Sequence, residues 1–264
     1  MPVLSRFLEL AGGPQQALVV ITAASEAPRE VFARYRSAFT ELGVRRLSHV
    51  HLDSPREGAS ERLLGPVREA KGIFLTGGAQ KRLMEMLRGT PLREELCKAY
   101  RERGACVAGT SAGASAMSRL MLAEGHAGLE AEKGAITLES GLGLVSRIVV
   151  DQHFSERQRL PRLLSVIAEH PDQIGIGIDE DTGLAICPRE GIDVVGQGGV
   201  TVVDGSSMLS NIAEIDKHAS PRLIDVRLHV LPSGTRFSAL AVDGAQLPPE
   251  PFRPCFQALI ESAL

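Results

Sequence analysis

The sequence predicts an α/β fold in which a mostly parallel, doubly wound sheet is joined by antiparallel strands in the C-terminal part. Three observations predict it. Continuous apolar runs such as Ala17–Ile21 alternate with segments of helical periodicity through residue 121, as in sheets buried on both faces. After residue 183 short strand-like segments dominate, the pattern of an antiparallel addition. No internal repeat, low-complexity tract or linker divides the 264 residues, so the chain reads as a single domain, 1–264.

Taken in order, residues 17–21 are a strand, 28–42 a helix and 45–52 a second strand. Residues 56–70 read as one helix, followed by the strand 72–75 and the loop Thr76-Gly77-Gly78. Helices at 82–87 and 92–103 lead to the strand 105–108. Ala114, Ala116, Met117, Leu120 and Met121 then recur at helical spacing, so a helix is expected through residue 121. Residues 148–150 form a strand running into Asp151-Gln152-His153-Phe154. Pro161 opens a helix that ends near His170-Pro171, since proline suits the first helical turn. Ile174-Gly-Ile-Gly-Ile178 alternates like a strand and is followed by Asp179-Glu180-Asp181. Strands at 184–187, 192–196 and 200–203, and a hairpin over 223–242, complete the chain.

Composition narrows the function classes. A hydrophobic content of 44% supplies a sizeable core. The formal net charge of -3 gives no electrostatic case for nucleic acid or an anionic membrane surface. Tryptophan is absent and other aromatics are few, which argues against a stacking platform. No apolar run approaches the length of a membrane span, and the N-terminus lacks the pattern of a signal peptide. Cys97, Cys106, Cys187 and Cys255 are scattered, as reduced thiols of a cytoplasmic protein would be. No His/Cys cluster has metal-ligand spacing; His49 and His51 share a strand face but lack a third ligand.

The chemistry centres on Gly109-Thr110-Ser111-Ala112-Gly113, which fits the G-x-S-x-G nucleophile elbow at a strand-to-helix junction. Small neighbours permit a sharp turn that presents the Ser111 hydroxyl, and the first helical N–H groups face a developing oxyanion. A serine hydroxyl needs a base, usually a histidine oriented by a carboxylate. Among seven histidines, His153 stands out because it follows a strand end, where α/β sheets gather their ligands. His126, in a glycine-bounded loop, is a lesser candidate. Asp179, Glu180 and Asp181 all remain open as the carboxylate; strand alternation only points Glu180 away from its two neighbours. The order serine, histidine, acid also differs from that of α/β-hydrolases. Arg157, Arg159 and Arg162 close to His153 suggest recognition of carboxylate groups. The loop Thr76-Gly77-Gly78-Ala79-Gln80 offers a backbone N–H to an oxyanion and a side-chain amide to substrate.

These motifs, together with Gly175-Ile-Gly-Ile-Asp-Glu-Asp-Thr182 and Gly198-Gly-Val-Thr-Val-Val-Asp-Gly205, resemble the serine peptidase family that contains cyanophycinase and aspartyl dipeptidase. The similarity spans most of the chain. It implies a three-layer fold like the class I glutamine amidotransferases, with serine in place of their cysteine nucleophile. It also implies Ser111 as nucleophile, His153 as base, Glu180 as its partner, and Gly78 and Ala112 as the oxyanion hole. Gln80, Asp151, Gln152, Arg157, Arg159 and Arg162 would line the pocket. The implied substrate is cyanophycin, a polyaspartate carrying arginine on its β-carboxyl groups, or smaller aspartyl-arginine peptides, with β-aspartyl-arginine as product. No metal or organic cofactor is implied, and a homodimer is. The alternatives are an aspartyl or isoaspartyl dipeptidase of the same family and an inactive peptide-binding homologue. Family members usually begin with a further strand ahead of the helix that residues 4–10 resemble, and that strand is expected to be absent here.

Overall fold

In the computed structural model, residues 1–125, 128–241 and 244–264 are described. They form two compact units, Met1–Met117 and Ser118–Leu264. His126 and Val242, the end of the expected hairpin, lie outside the described residues.

The N-terminal unit runs α1 (Pro2–Leu10), β1 (Ala17–Ile21), α2 (Pro28–Glu41), β2 (Arg46–Val50), α3 (Glu61–Glu69), β3 (Gly72–Leu75), α4 (Gln80–Leu87), α5 (Pro91–Arg101), β4 (Cys106–Gly109) and α6 (Ala112–Ala116). Its four strands are all parallel, in the order β2-β1-β3-β4. Leu18, Val20 and Phe74 pack against Phe7 and Leu8 of α1 and Phe39 of α2. The alternate residues Val19, Ile21, Ile73 and Leu75 are buried as well, and α3 packs on β1 and β2 with α5 beside it. Burial on both faces is why the central strands are uninterrupted apolar runs.

The C-terminal unit runs β5 (Leu120–Gly125), β6 (Ile136–Ser140), β7 (Ile148–Gln152), α7 (Leu160–Glu169), β8 (Ile174–Ile178), β9 (Thr182–Cys187), β10 (Gly191–Gly196), β11 (Gly199–Asp204), β12 (Leu209–Ser210), β13 (Leu223–Ile224), β14 (Arg227–Pro232), β15 (Arg236–Ser238) and α8 (Arg253–Ser262). Its largest sheet has the order β14-β11-β8-β7, with only β7 and β8 parallel. Leu163, Val166 and Ile167 of α7 pack on Val149 and Val203 of this sheet. The glycines of β8 make room for that packing. A Cβ on Gly175 would lie 2.8 Å from Leu163 Cγ, and one on Gly177 would lie 2.4 Å from Phe154 Cγ.

Three expectations are corrected. Residues 56–70 are not one helix: a 3-10 turn, Pro55–Ala59, precedes α3, because Ser60 is extended and Gly58 is pressed against Thr90. The helix after Ser111 ends at Ala116 instead of continuing through Met121. Leu120, Met121 and Leu122 open β5, whose partner β6 the sequence did not announce. Over six residues an apolar helical face and a short apolar strand look alike. The segment 223–242 is not a hairpin either. β14 pairs with β11 while β15 pairs with β10, so the turn at Gly234 hands the chain from one sheet to another.

Candidate active site

In the N-terminal unit the candidate residues gather at the C-terminal edge of the parallel sheet. Thr76 N–H donates to the Ile21 carbonyl at 3.0 Å, Ala79 N–H to Ala24 at 2.9 Å and Thr110 N–H to Leu75 at 3.0 Å. Loops following β1, β3 and β4 are thereby held side by side. Ser111 takes φ 50° and ψ -118°, a backbone conformation strained for any residue with a Cβ. The turn is closed by Gly113 N–H on Thr110 O and by Ala114 N–H and Ser115 N–H on Ser111 O. A Cβ on Gly113 would overlap the Leu75 carbonyl, so only glycine lets α6 begin this close to β3.

Gly77 lies against Ser111, since a Cβ there would be 3.2 Å from Ser111 Cβ. Gly78 has φ 141°, and a Cβ would sit 2.6 Å from the Ala24 carbonyl carbon. Ala112 is the first residue of α6 and Gln80 the first of α4. Among the described residues, the Gly78 and Ala112 N–H groups donate no hydrogen bond. Unpaired backbone N–H groups of this kind are able to donate to an anion. Tyr35 of α2, which sequence reasoning passed over, hydrogen-bonds Thr110 beside the serine. Burial raises its phenol above the usual tyrosine range.

The C-terminal unit brings His153 and Glu180 together. His153 Nδ1 is 2.7 Å from Glu180 Oε1. Because a carboxylate only accepts, Nδ1 carries the hydrogen, and in the neutral ring Nε2 then holds the lone pair. His153 follows β7 with φ 52°, and Glu180 follows β8, the parallel neighbour of β7. Lacing on either side fixes the pair. Phe154 N–H donates to Ile178 O at 3.2 Å, Ser155 N–H to Asp179 Oδ1 at 3.1 Å, and Glu180 N–H to Glu156 Oε1 at 3.0 Å. Asp179 also accepts from Gly199 N–H at 2.9 Å, which ties β8 to β11. Asp181 occupies a turn at φ 49°.

Asp151, the residue preceding Gln152 and His153, is 1% exposed. It accepts from Arg159 Nη1 at 3.1 Å and Arg162 Nε at 2.9 Å, and Arg162 Nη2 also reaches it. Arg159 further binds the Gln152 carbonyl, and its side-chain Oε1 at 3.2 Å. Arg162 donates to Gly125 O at 3.1 Å. Both guanidiniums are buried, whereas Arg157 is exposed and joined to His153 through its backbone N–H. Burial lowers the Arg159 pKa, and Asp151 acts against that shift. Among the described residues no group of three metal-ligating side chains forms.

The description of peptidase family S51 matches residues 1–193. A cyanophycinase from Geminocystis herdmanii is 36% identical over 237 residues, covering 89% of this chain and 87% of that protein. The chain belongs to peptidase family S51. A cyanophycinase from Trichormus variabilis is 35% identical over 89% of this chain and 79% of its own length. A peptidase from an acI-B1 Actinobacterium superposes with a TM-score of 0.63 at 20% identity, covering 89% of this chain and 88% of that one, a likeness of fold.

As an S51 member the chain is a serine peptidase with the α/β fold its sequence predicts. Among the described residues no helix is long and apolar enough to cross a membrane. Apart from Tyr35, the sequence reading also passed over Glu156. Its signal was slight: one acid among three arginines, at a position where a carboxylate meets the N–H of Glu180.

Proposed function

We propose that this peptidase hydrolyses cyanophycin to β-aspartyl-arginine dipeptides through an acyl-enzyme, with Ser111, His153 and Glu180 as its triad. The observation that carries the reading is the His153 Nδ1–Glu180 Oε1 hydrogen bond at 2.7 Å. It gives an imidazole the tautomer that a serine nucleophile requires. The relatives named cyanophycinase support the substrate.

His153 Nε2 takes the Ser111 hydroxyl proton as Oγ attacks a backbone carbonyl. The Gly78 and Ala112 N–H groups stabilise the oxyanion. The imidazolium, held by Glu180, gives that proton to the leaving amine, and the C–N bond breaks. A water then attacks the ester, losing its proton to His153, and releases the dipeptide and Ser111. Arg157 and Gln80 meet the substrate's carboxylates and amides. The Asp151–Arg159–Arg162 cluster holds Gln152 at the pocket wall, and its guanidiniums give the wall positive charge. Both units contribute to a single peptidase domain, acting as a cytoplasmic homodimer; sedimentation at equilibrium tests the assembly.

The decisive experiment is dipeptide release from insoluble cyanophycin by the purified chain beside Ser111→Ala. Release by the wild type alone supports the reading. A folded wild type that cleaves isoaspartyl dipeptides but not the polymer would replace it with the dipeptidase alternative.

A further inference from the structure

At the end of the C-terminal unit's sheet opposite to His153 and Glu180 lies an open cavity of about 270 Å³. Arg147 and Gln173 line it from just before β7 and β8, and Asp204 from the last position of β11. Asp172 adds to the wall, and Cys255, Ala258 and Glu261 of α8 close it. The five residues of β7 separate it from His153, a span of roughly 17 Å at strand rise.

Its charges are uncompensated. Asp172, Asp204, Glu261 and Arg147 make no ion pair among the described residues. Asp204 is buried, and one of its oxygens accepts from Ser206 N–H at 2.8 Å. Gln173 is 1% exposed. Its Nε2 donates to Asp172 Oδ2 at 2.6 Å, and since a carboxylate cannot donate, the amide cannot be turned over. That leaves the buried Oε1 with no partner. A buried carboxylate is costly when unpaired, and a cationic N–H donor in the cavity satisfies the second oxygen of Asp204. Arg147, exposed at the rim, anchors its Nε on Asp172 O at 3.4 Å and offers a guanidinium to an anion. Burial and the nearby Asp204 push the Cys255 thiol up to about 12, so this part of the wall is neutral.

We infer that this cavity binds a free basic amino acid, arginine or lysine. Its side-chain cation meets Asp204, and its carboxylate meets Arg147. Three acids against one guanidinium favour a zwitterion with one extra positive charge over a neutral amino acid. The volume, small among ligand pockets, suits one amino acid and not a polymer. The site is independent of the proposed triad.

Titration calorimetry on the intact chain tests it with L-arginine, L-lysine, L-glutamate and agmatine, which is arginine without its carboxylate. Arginine and lysine are expected to bind and glutamate not. Asp204→Asn should weaken arginine by about tenfold or more, and Glu261→Gln, at an exposed position, should weaken it in a chain whose fold is undisturbed. Arg147→Gln should weaken arginine by a similar factor while leaving agmatine unchanged. Arginine binding that survives Asp204→Asn and Glu261→Gln, or an absence of binding to the wild type, overturns the inference. So does calcium binding that Asp204→Asn removes in a chain that takes no amino acid.

Discussion

Replacing Asp151 by asparagine tests whether the residues ahead of His153 rest on buried charge. Asparagine keeps the shape but removes the one carboxylate that two guanidiniums share. Arg159 and Arg162 are 9% and 8% exposed, so water cannot take its place. Breaking a buried ion pair by deleting one partner costs about 3–5 kcal/mol, because the other charge is left stranded. The arginines gain part of this back through the Gln152 and Gly125 carbonyls, which places the expected loss near the lower bound, about 3 kcal/mol. For a chain of this size that lowers Tm by roughly 6–10 °C. Urea unfolding followed by circular dichroism, with calorimetric melting beside it, measures both quantities.

The same reasoning makes a claim about pairs. Adding Arg162→Met to Asp151→Asn removes one of the stranded cations, so the two losses should fall short of additivity by about 1 kcal/mol or more. A loss below about 1 kcal/mol for Asp151→Asn, the range of surface pairs, would refute the stranded-charge argument. So would strict additivity in the double variant.

Glu180→Gln should cut kcat by about 10²- to 10⁴-fold with little change in KM, by disturbing the His153 tautomer and its cation. Asp179→Asn should act chiefly on stability, and the reverse pattern would move the acid to Asp179. Gly113→Ala should cost about 1–3 kcal/mol through its overlap with Leu75. Gly65→Ala, whose Cβ inside α3 would meet only Glu61 Oε1 at 3.7 Å, should cost less in chemical denaturation; equal costs would remove overlap as the cause. His49 is lowered from the ordinary histidine value by burial and then by His51. The unfolded chain therefore takes up this proton first as pH falls through about 6.5. The stability tied to a neutral His49 is full above that value and is lost on acidification towards the folded pKa. Denaturant midpoints from about pH 7.5 to pH 5 should fall less steeply in His49→Gln, and parallel profiles would contradict the assignment.

Legibility in the sequence followed the physics of burial. β1 and β3 were plain because both their faces are covered, leaving continuous apolar runs. The elbow was plain because a strained turn demands small residues at Gly109, Ala112 and Gly113. Residues 117–122 were misread because their local pattern serves either a helix or a strand, and pairing with β6 decides it. The destination of β15 was hidden for a similar reason: hydrophobic alternation says that a segment pairs, not with which neighbour. Among the three acids after β8, alternation separated Glu180 from its neighbours but left all three open, and only the family resemblance singled it out. Asp151 was expected to line a pocket, yet nothing in a string of charges shows that it is buried and that two of the three arginines turn inward to meet it.

The conformation of Ser111 sets stability against chemistry at a single residue. A side chain held at φ 50°, ψ -118° costs of order 1–3 kcal/mol, and glycine would adopt the same turn with less strain. Ser111→Gly is therefore expected to melt above the wild type while losing the hydroxyl on which the proposed reaction depends. A selection for thermal resistance alone would be drawn to this position and would return well-folded, silent protein. Any stabilisation of this peptidase that keeps its turnover has to be built away from the elbow, where ordered backbone and useful chemistry do not make opposite demands of one side chain.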